Sequence, residues 1–283
     1  MDNHFRDKTV VITGASKGVG AATARRFAAA GARLVLVARG KKQLEGLASE
    51  LRPQTDVLLS AMDVSDLDAC VSLFRKAEYE FEHIDFLVNN AGFHARGPVE
   101  SQTADELGRM IDVNLKAPIQ LCRLAIPYLK AAGGGAIINV ASLAGRTPVP
   151  NAATYSASKF GLRAFTFALA QELHGTGIKL AAVSPGPIDT GFIMDNIDSV
   201  ADITFSQPMS TADEVAAVIM DLAVNDRRER SMPPVSGLLT TMSYLFPWLG
   251  RALQPALDRR GRRVKLKLKQ QMRAAEAKTE RTQ

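Results

Sequence analysis

Tyr155 and Lys159 stand four residues apart in the run Thr154-Tyr155-Ser156-Ala157-Ser158-Lys159. On a helix that spacing puts both side chains on one face. A phenol ordinarily titrates near pH ~10, and a neighbouring ammonium favours its ionised form. The pair therefore suits proton exchange with a carbonyl or alcohol oxygen. Upstream, Thr13-Gly14-Ala15-Ser16-Lys17-Gly18-Val19-Gly20 places glycines where an apolar strand gives way to a helix. Glycine there permits a tight turn and lets backbone N–H groups approach a pyrophosphate, whose charge the helix N-terminus favours. Gly14, Ser16, Lys17, Gly18, Val19 and Gly20 are read as this cradle. The spacing is Gly-x3-Gly-x-Gly, not the Gly-x-Gly-x-x-Gly fingerprint. Alone, the glycines suit a structural turn and the Tyr-x-x-x-Lys pair suits any amphipathic helix. Together they point to hydride transfer between a nicotinamide and a carbonyl or alcohol.

A site for NAD places an acid on the ribose 2′-hydroxyl about 20 residues past the glycines. Here the second apolar strand ends Val37-Ala38-Arg39-Gly40, with no acid. Arg39 offers charge-assisted bonds to a 2′-phosphate, and Lys17 adds a second cation, so NADP(H) is the expected cofactor. The plainer alternative makes both residues solvated surface charges.

The elements that must position these groups alternate. Thr9–Thr13, Arg33–Val37, Val57–Leu59, Ile84–Val88, Ala136–Val140 and Lys179–Val183 read as short buried strands. Helical segments separate them, including Ala21–Ala30, Lys41–Leu51, Leu67–Phe81 and Ser158–Leu173. Such alternation makes βαβ units and a parallel sheet covered on both faces, wound as a doubly wound α/β sheet. No repeat or low-complexity linker divides residues 1–230.

In chain order, Thr13 to Gly20, Asp63-Val64, Asn89-Asn90-Ala91-Gly92, Asn114, Ser142, Tyr155, Lys159 and Ser184-Pro185-Gly186 through Thr190 resemble the successive motifs of the short-chain dehydrogenase/reductase family, over about residues 7–230. The resemblance implies a single Rossmann-like sheet of about seven strands flanked by helices, and assembly as a homodimer or homotetramer. It implies that Tyr155 donates the proton, Ser142 holds the carbonyl oxygen, and Lys159 also binds the nicotinamide ribose. Asn114 would hold a water that links Lys159 to solvent. Asp63 and Val64 would lie by the adenine. Asn90, Ala91 and Gly92 would follow the fourth strand, bracing the sheet and meeting cofactor, and Pro185, Gly186, Ile188 and Thr190 would run along the nicotinamide. The segment from Thr190 to Pro208, with Phe192, Ile193, Met194, Ile197, Ile203 and Phe205, reads as a mobile apolar lid. Phe93, His94 and Val149 are further pocket candidates. A hydrophobic ketone or aldehyde, such as a 3-oxoacyl, steroid, retinoid or lipid-like carbonyl, is the expected substrate. An NAD-linked alcohol dehydrogenase and a non-catalytic NADPH-sensing scaffold are the rivals.

The chain divides in character into a dinucleotide-binding part, residues 1–235, and an extension, residues 236–283. Net charge is +6, yet 11 of the 35 basic and 3 of the 29 acidic residues lie from Arg251 to Gln283, leaving 24 basic against 26 acidic elsewhere. A slightly acidic body argues against a nucleic-acid partner. Leu238, Met242, Leu245, Leu249, Leu253 and Leu257 recur at helical spacing, with Pro247 set to kink or split the helix. Val235-Ser236-Gly237 is a faint echo of the glycine-containing segment that, in the family, follows the seventh strand and closes the pocket or an oligomer interface, and the end from Ala274 reads as frayed. The apolar stripe and basic run suit peripheral contact with an anionic membrane. A dimerisation arm is the alternative. Cys70 and Cys122 read as core thiols, and His4, His83, His94 and His174 as surface or loop residues without metal spacing. No secretory leader or apolar run long enough to span a bilayer is visible, so a cytoplasmic protein, peripheral at a membrane surface, is expected.

Overall fold

The computed structural model describes residues 3–195 and 197–280, with side chains to Met272. Strands β1 (Thr9–Thr13), β2 (Arg33–Ala38), β3 (Val57–Ala61), β4 (Phe86–Asn89), β5 (Gly135–Val140) and β6 (Ile178–Pro185) fall close to the six expected runs. Two-residue strands β7 (Ile188–Asp189) and β8 (Ser210–Thr211) pair with each other, and β9 (Glu229–Met232) completes the main sheet. That sheet has seven strands in the order β3-β2-β1-β4-β5-β6-β9, parallel throughout. The order reverses between β1 and β4, which opens a crevice beyond their carboxyl ends.

Successive residues of a strand face opposite sides of its sheet, and β1 supplies both cores at once. Val10 and Ile12 pack with Phe27, Leu44 and Ile219 on one side, while Val11 packs with Phe74, Leu121 and Leu169 on the other. The first set comes from helices α1 (Gly18–Ala29), α2 (Lys41–Leu51) and α8 (Ala212–Val224). The second comes from α3 (Leu67–Phe81), α5 (Ala117–Ala131) and α6 (Ala153–Glu172). Burying each such side chain contributes roughly 1.5–3 kcal/mol, which is why these strands tolerate no polar face. Cys70 and Cys122 are free and buried, and burial pushes their thiols up to about 11 and about 12.

A buried polar chain fixes α6 to the sheet. Asn89 donates to Asn139 at 2.9 Å, Asn139 to Thr166 at 2.8 Å, and Thr166 to the Leu162 carbonyl at 2.7 Å. Glu229 does the same for β9, accepting from Arg146, Arg163 and Ser184. Between α4 (Ala104–Ile111) and α5 lies a π-helical turn, Asp112–Lys116, a distortion often found at functional sites.

Several expected boundaries move. Helix α6 begins at Ala153 rather than Ser158, so Tyr155 already lies in its first turn. Val235-Ser236-Gly237 follows soon after β9. It opens α9 (Pro234–Leu245). Pro247 does split the tail, since α9 ends at Leu245 with Phe246 as its cap and α10 (Pro247–Glu280) starts on that proline, where a missing N–H costs nothing. Helix α10 continues to Glu280 through the segment expected to fray from Ala274, and residues 281–283 lie outside the described chain.

Candidate functional site

At the carboxyl end of β1 the chain turns through Gly14 (φ +66°) and Gly18 (φ +56°), left-handed conformations that favour glycine. A Cβ on Gly14 would lie 2.8 Å from the Asn90 amide nitrogen, and one on Gly20 would lie 2.2 Å from the Gly14 carbonyl oxygen. Helix α1 starts at Gly18 with no side-chain cap and no acid in its first turn, leaving its N–H groups and positive dipole end facing the crevice. Asn90 donates its amide to the carbonyls of Thr13 (2.9 Å) and Gly14 (3.2 Å), while Asn90 and Ala91 N–H groups donate to the Thr13 hydroxyl. Asn90 thus braces the glycine turn at the end of β1, the structural part expected of it.

A cleft of about 1210 Å³ runs from this turn across the sheet edge. Gly14, Ser16, Lys17, Gly18, Val19, Arg39, Asp63, Val64, Asn90, Ala91 and Gly92 line one part; Ser142, Tyr155, Lys159, Pro185, Gly186, Ile188 and Thr190 line the other. Two residues read as site members do not line it. Gly20 is buried behind the turn, and Asn114 sits in the π-helical turn below Gly92. Arg39, just past β2, is exposed at the cleft end with its guanidinium 3.9 Å from the Asp63 carboxylate, which Arg109 approaches at 3.7 Å. Burial pulls the Asp63 carboxyl upward, but its Ser65 hydrogen bonds and the Arg39 and Arg109 charges outweigh that and leave it below the usual range.

Tyr155 and Lys159 share a face of α6, the ammonium 5.8 Å from the phenol ring centre. Lys159 donates to the Val140 carbonyl at 2.8 Å, and burial lowers it to about 8. Ser142, the residue that follows Ala141 at the end of β5, accepts from the Ala144 N–H at 3.1 Å and donates to the Pro185 carbonyl at 3.5 Å. Burial raises the phenol, opposed by the nearby Ser142 hydroxyl and by the charge of Arg96. Asn114 accepts from the Phe93 N–H (3.0 Å) and donates to the Phe93 carbonyl (2.8 Å). Its amide pins the loop after β4, and a Cβ on Gly92 would come within 3.0 Å of its oxygen and 3.6 Å of the Lys159 nitrogen.

Arg96 escaped the sequence reading, and His94, a pocket candidate there as well as one of the surface or loop histidines, takes the pocket place. Its ring stacks on Tyr155 with centres 4.3 Å apart and planes 15° apart. Burial lowers it to about 3, aided by Arg96, so it is neutral. Arg96 reaches the same corner, donating to the Phe192 carbonyl at 2.6 Å and lying 5.1 Å over the Phe192 ring. Arg96 follows no helical or strand period, so only its placement two residues past His94 hinted at the pocket.

The lid is held rather than loose. Ile193, Ile197, Val200 and Phe205 form a small core of their own with Met194, Met209, Leu268 and Met272. Three cations of the tail grip its backbone and acids. Lys265 donates to the carbonyls of Val200 (2.7 Å) and Asp198 (3.2 Å), Arg262 pairs with Asp202 at 3.1 Å, and Lys269 pairs with Asp198. Gly261 lets α10 approach so closely that a Cβ there would fall 1.8 Å from the Asp202 carbonyl oxygen. By contrast Arg259, Arg260, Arg263 and Lys267 are exposed, as are Leu238, Leu245, Phe246, Trp248 and Leu253. No described helix is long and apolar enough to cross a membrane, and no group of His, Cys, Asp or Glu among the described residues is arranged for a metal.

Residues 8–200 match the model of a family described as short chain dehydrogenase. An oxidoreductase of Staphylococcus saprophyticus is 34% identical over 235 residues, which cover 81% of this chain and 95% of that protein. A protein of Chromohalobacter salexigens named sulfoacetaldehyde reductase 2 is 37% identical over 237 residues, 79% of this chain and 93% of its own. Among solved structures, a metagenomic short-chain oxidoreductase in complex with NADP superposes with a TM-score of 0.69 at 33% identity, covering 80% of this chain and 97% of that one. A short chain dehydrogenase from Mycobacterium paratuberculosis bound to NAD shares the fold, with a TM-score of 0.75 at 23% identity over 83% of this chain and 99% of its own.

Proposed function

The chain belongs to the short-chain dehydrogenase family, and we propose that it is an NADPH-dependent reductase of ketones or aldehydes, reversible as an alcohol dehydrogenase. The observation that carries this reading is the convergence of Ser142, Tyr155 and Lys159 on the cleft that begins at the glycine turn. The turn fits a dinucleotide, because the positions of Gly14 and Gly20 leave no room for a side chain and the uncapped start of α1 faces the cleft.

When bound, the nicotinamide supplies hydride to the carbonyl carbon or accepts it from the alcohol. Ser142 orients the substrate oxygen, and Tyr155, kept neutral by burial, donates its proton to that oxygen. Lys159 holds the ribose and stands beside the phenol it must help recharge. Asn114 keeps Phe93 and Gly92 in place, which fixes one wall around Lys159.

Preference for NADP(H) is supported by Arg39 at the end of β2, by the absence of an acid there, by exposed Lys17 and by the NADP complex of a 33%-identical relative. An apolar substrate is supported by Phe93, Val149, Phe192, Ile203, Leu239 and Met242 along the cleft. Residues 1–235 would carry the reaction in a homodimer or homotetramer. The exposed apolar ridge of α9 and α10 beside four exposed cations supports peripheral contact with an anionic membrane. The test is oxidation of NADPH beside NADH over a panel of ketones and aldehydes. Turnover is expected with NADPH and lost by roughly 10²–10⁴-fold in Tyr155→Phe, with NADPH binding retained. Tyr155→Phe turning over like the wild type would overturn the mechanism.

A further inference from the structure

We propose that the substrate carries an oxyanion group, a carboxylate or sulfonate, a few bonds from its reacting carbonyl, and that Arg96 and His94 receive it beside Tyr155. The inference rests on the reductase reading and names the substrate class of that site.

The argument begins with an imbalance of charge. Arg96 lines the cleft with its Nε–H buried and without an acceptor. No carboxylate among the described residues pairs with it. It donates to the Phe192 carbonyl, touches the His94 ring and lies over the Phe192 ring. The other two part-buried arginines of this region, Arg146 and Arg163, share the carboxylate of Glu229. A guanidinium taken partly out of water without a counter-charge is costly, and the rest of this neighbourhood avoids that arrangement.

The second observation is that the two unmet groups of this corner, on Arg96 and His94, are both donors, whereas the unpartnered Gln207 side-chain oxygen of the cleft lies beside Gly186. Arg96 Nη1 lies 3.3 Å from His94 Nδ1, and a guanidinium has only N–H to offer. His94 Nδ1 must therefore accept, and the proton of the neutral ring sits on Nε2. That Nε2 is buried with no partner. Two buried donors, one of them cationic, thus meet in the corner where the His94 ring covers Tyr155. A neutral amide or alcohol would leave a cation uncompensated. A carboxylate or sulfonate supplies several acceptor oxygens and the missing charge, and the guanidinium fork matches its geometry. Apolar walls elsewhere in the cleft still accommodate the remaining carbon chain.

Position also sets direction. Arg96 Nη1 lies 3.3 Å from the His94 ring, which stacks on the Tyr155 ring at 4.3 Å, so the oxyanion seat and the carbonyl seat are neighbours. The acid must accordingly lie near the carbonyl, as in an oxo acid or an aldehyde acid, and not at the far end of a long chain.

The test compares oxo acids with their amides at equal chain length, 4-oxobutanoate against 4-oxobutanamide and 3-oxooctanoate against its amide. It uses NADPH with wild type, Arg96→Met and Arg96→Lys. Wild type is expected to favour the acid in kcat/KM by about tenfold to a hundredfold, the range for charge-assisted bonds. Arg96→Met should bring the acid-to-amide ratio to about one, and Arg96→Lys should restore part of it. A purely structural role, in which Arg96 only latches Phe192, would lower both substrates together and leave the ratio unmoved. An unchanged ratio in Arg96→Met, or a wild type indifferent to the acid, overturns the proposal. Calorimetry separates this from failure of the reductase reading. NADPH-loaded Tyr155→Phe should bind 4-oxobutanoate, and the double variant with Arg96→Met should not. Acid binding with no turnover by wild type on any carbonyl would sink the reductase and uphold the anion seat; no acid binding would sink the seat.

Discussion

Lys159 is 5% exposed and its ammonium donates to one carbonyl, that of Val140 at 2.8 Å. Burial lowers it from 10.5 to about 8. The unfolded chain then holds this proton more tightly than the folded one, so folding is opposed in full below pH 8. The opposition fades as pH rises from about 8 to about 10.5. At about 1.36 kcal/mol per pKa unit, it amounts to about 3 kcal/mol below pH 8. Lys159→Met removes the charge while keeping most of the volume. It also leaves the Val140 carbonyl without its donor, which costs about 1–3 kcal/mol at every pH. The difference between variant and wild type should therefore swing by about 3 kcal/mol between pH 7 and pH 10.5, the variant being relatively better off at pH 7. For a chain of this size that swing is roughly 6 °C in Tm. Thermal unfolding of both proteins at half-unit steps from pH 6.5 to 10.5 measures it, since other titrating groups are common to the two and cancel. A difference in Tm that stays flat across this range would refute the claim that the fold buries a reluctant cation at its reaction centre.

Arg39→Asp should move the preference from NADPH toward NADH by about tenfold or more in the ratio of kcat/KM values, because a charge-assisted contact is replaced by repulsion; an unmoved ratio removes Arg39 from the cofactor reading. Deleting residues 251–283 should open the segment 190–208 to limited proteolysis, since Ile193 and Phe205 lose Leu268, and Val200 and Asp198 lose Lys265. The same deletion should abolish sedimentation with phosphatidylserine-rich vesicles; equal sedimentation of both forms would dispose of the lipid contact.

The sheet was legible because parallel strands buried on both faces need unbroken apolar runs, as in Thr9–Thr13, where every residue is buried. The cradle and the Tyr155–Lys159 pair were legible because they are local: the first is a turn, the second one step of a helix. What was hidden depends on distant partners. Lys265 and Lys269 read as lipid-facing charges because Asp198 lies 67 and 71 residues upstream, and no local pattern joins them. The hold of Asn114 on the loop after β4 was hidden for a related reason. Its amide is committed to the backbone of Phe93, which residue type alone does not disclose, whereas the bracing by Asn90 was expected. Arg96 sits in a loop, where there is no period to betray which way a side chain points, and His94 was legible as a pocket candidate but not as a ring stacked on Tyr155. Pro247 splits the tail as expected, whereas Pro255, not singled out in the sequence, lies inside α10.

The grip of α10 on the segment beyond β7 also orders events in time. A chain emerging from the ribosome, at about 5–20 residues per second, folds its leading part first. Every strand of the main sheet is available once Met232 has cleared the exit tunnel. Leu268 and Lys265, which complete the cover over one side of the cleft, arrive last. A nascent or prematurely terminated chain can thus own the whole dinucleotide-binding sheet and still present an unfinished substrate chamber. Synthesis of the final turns is, in this molecule, the step that closes it.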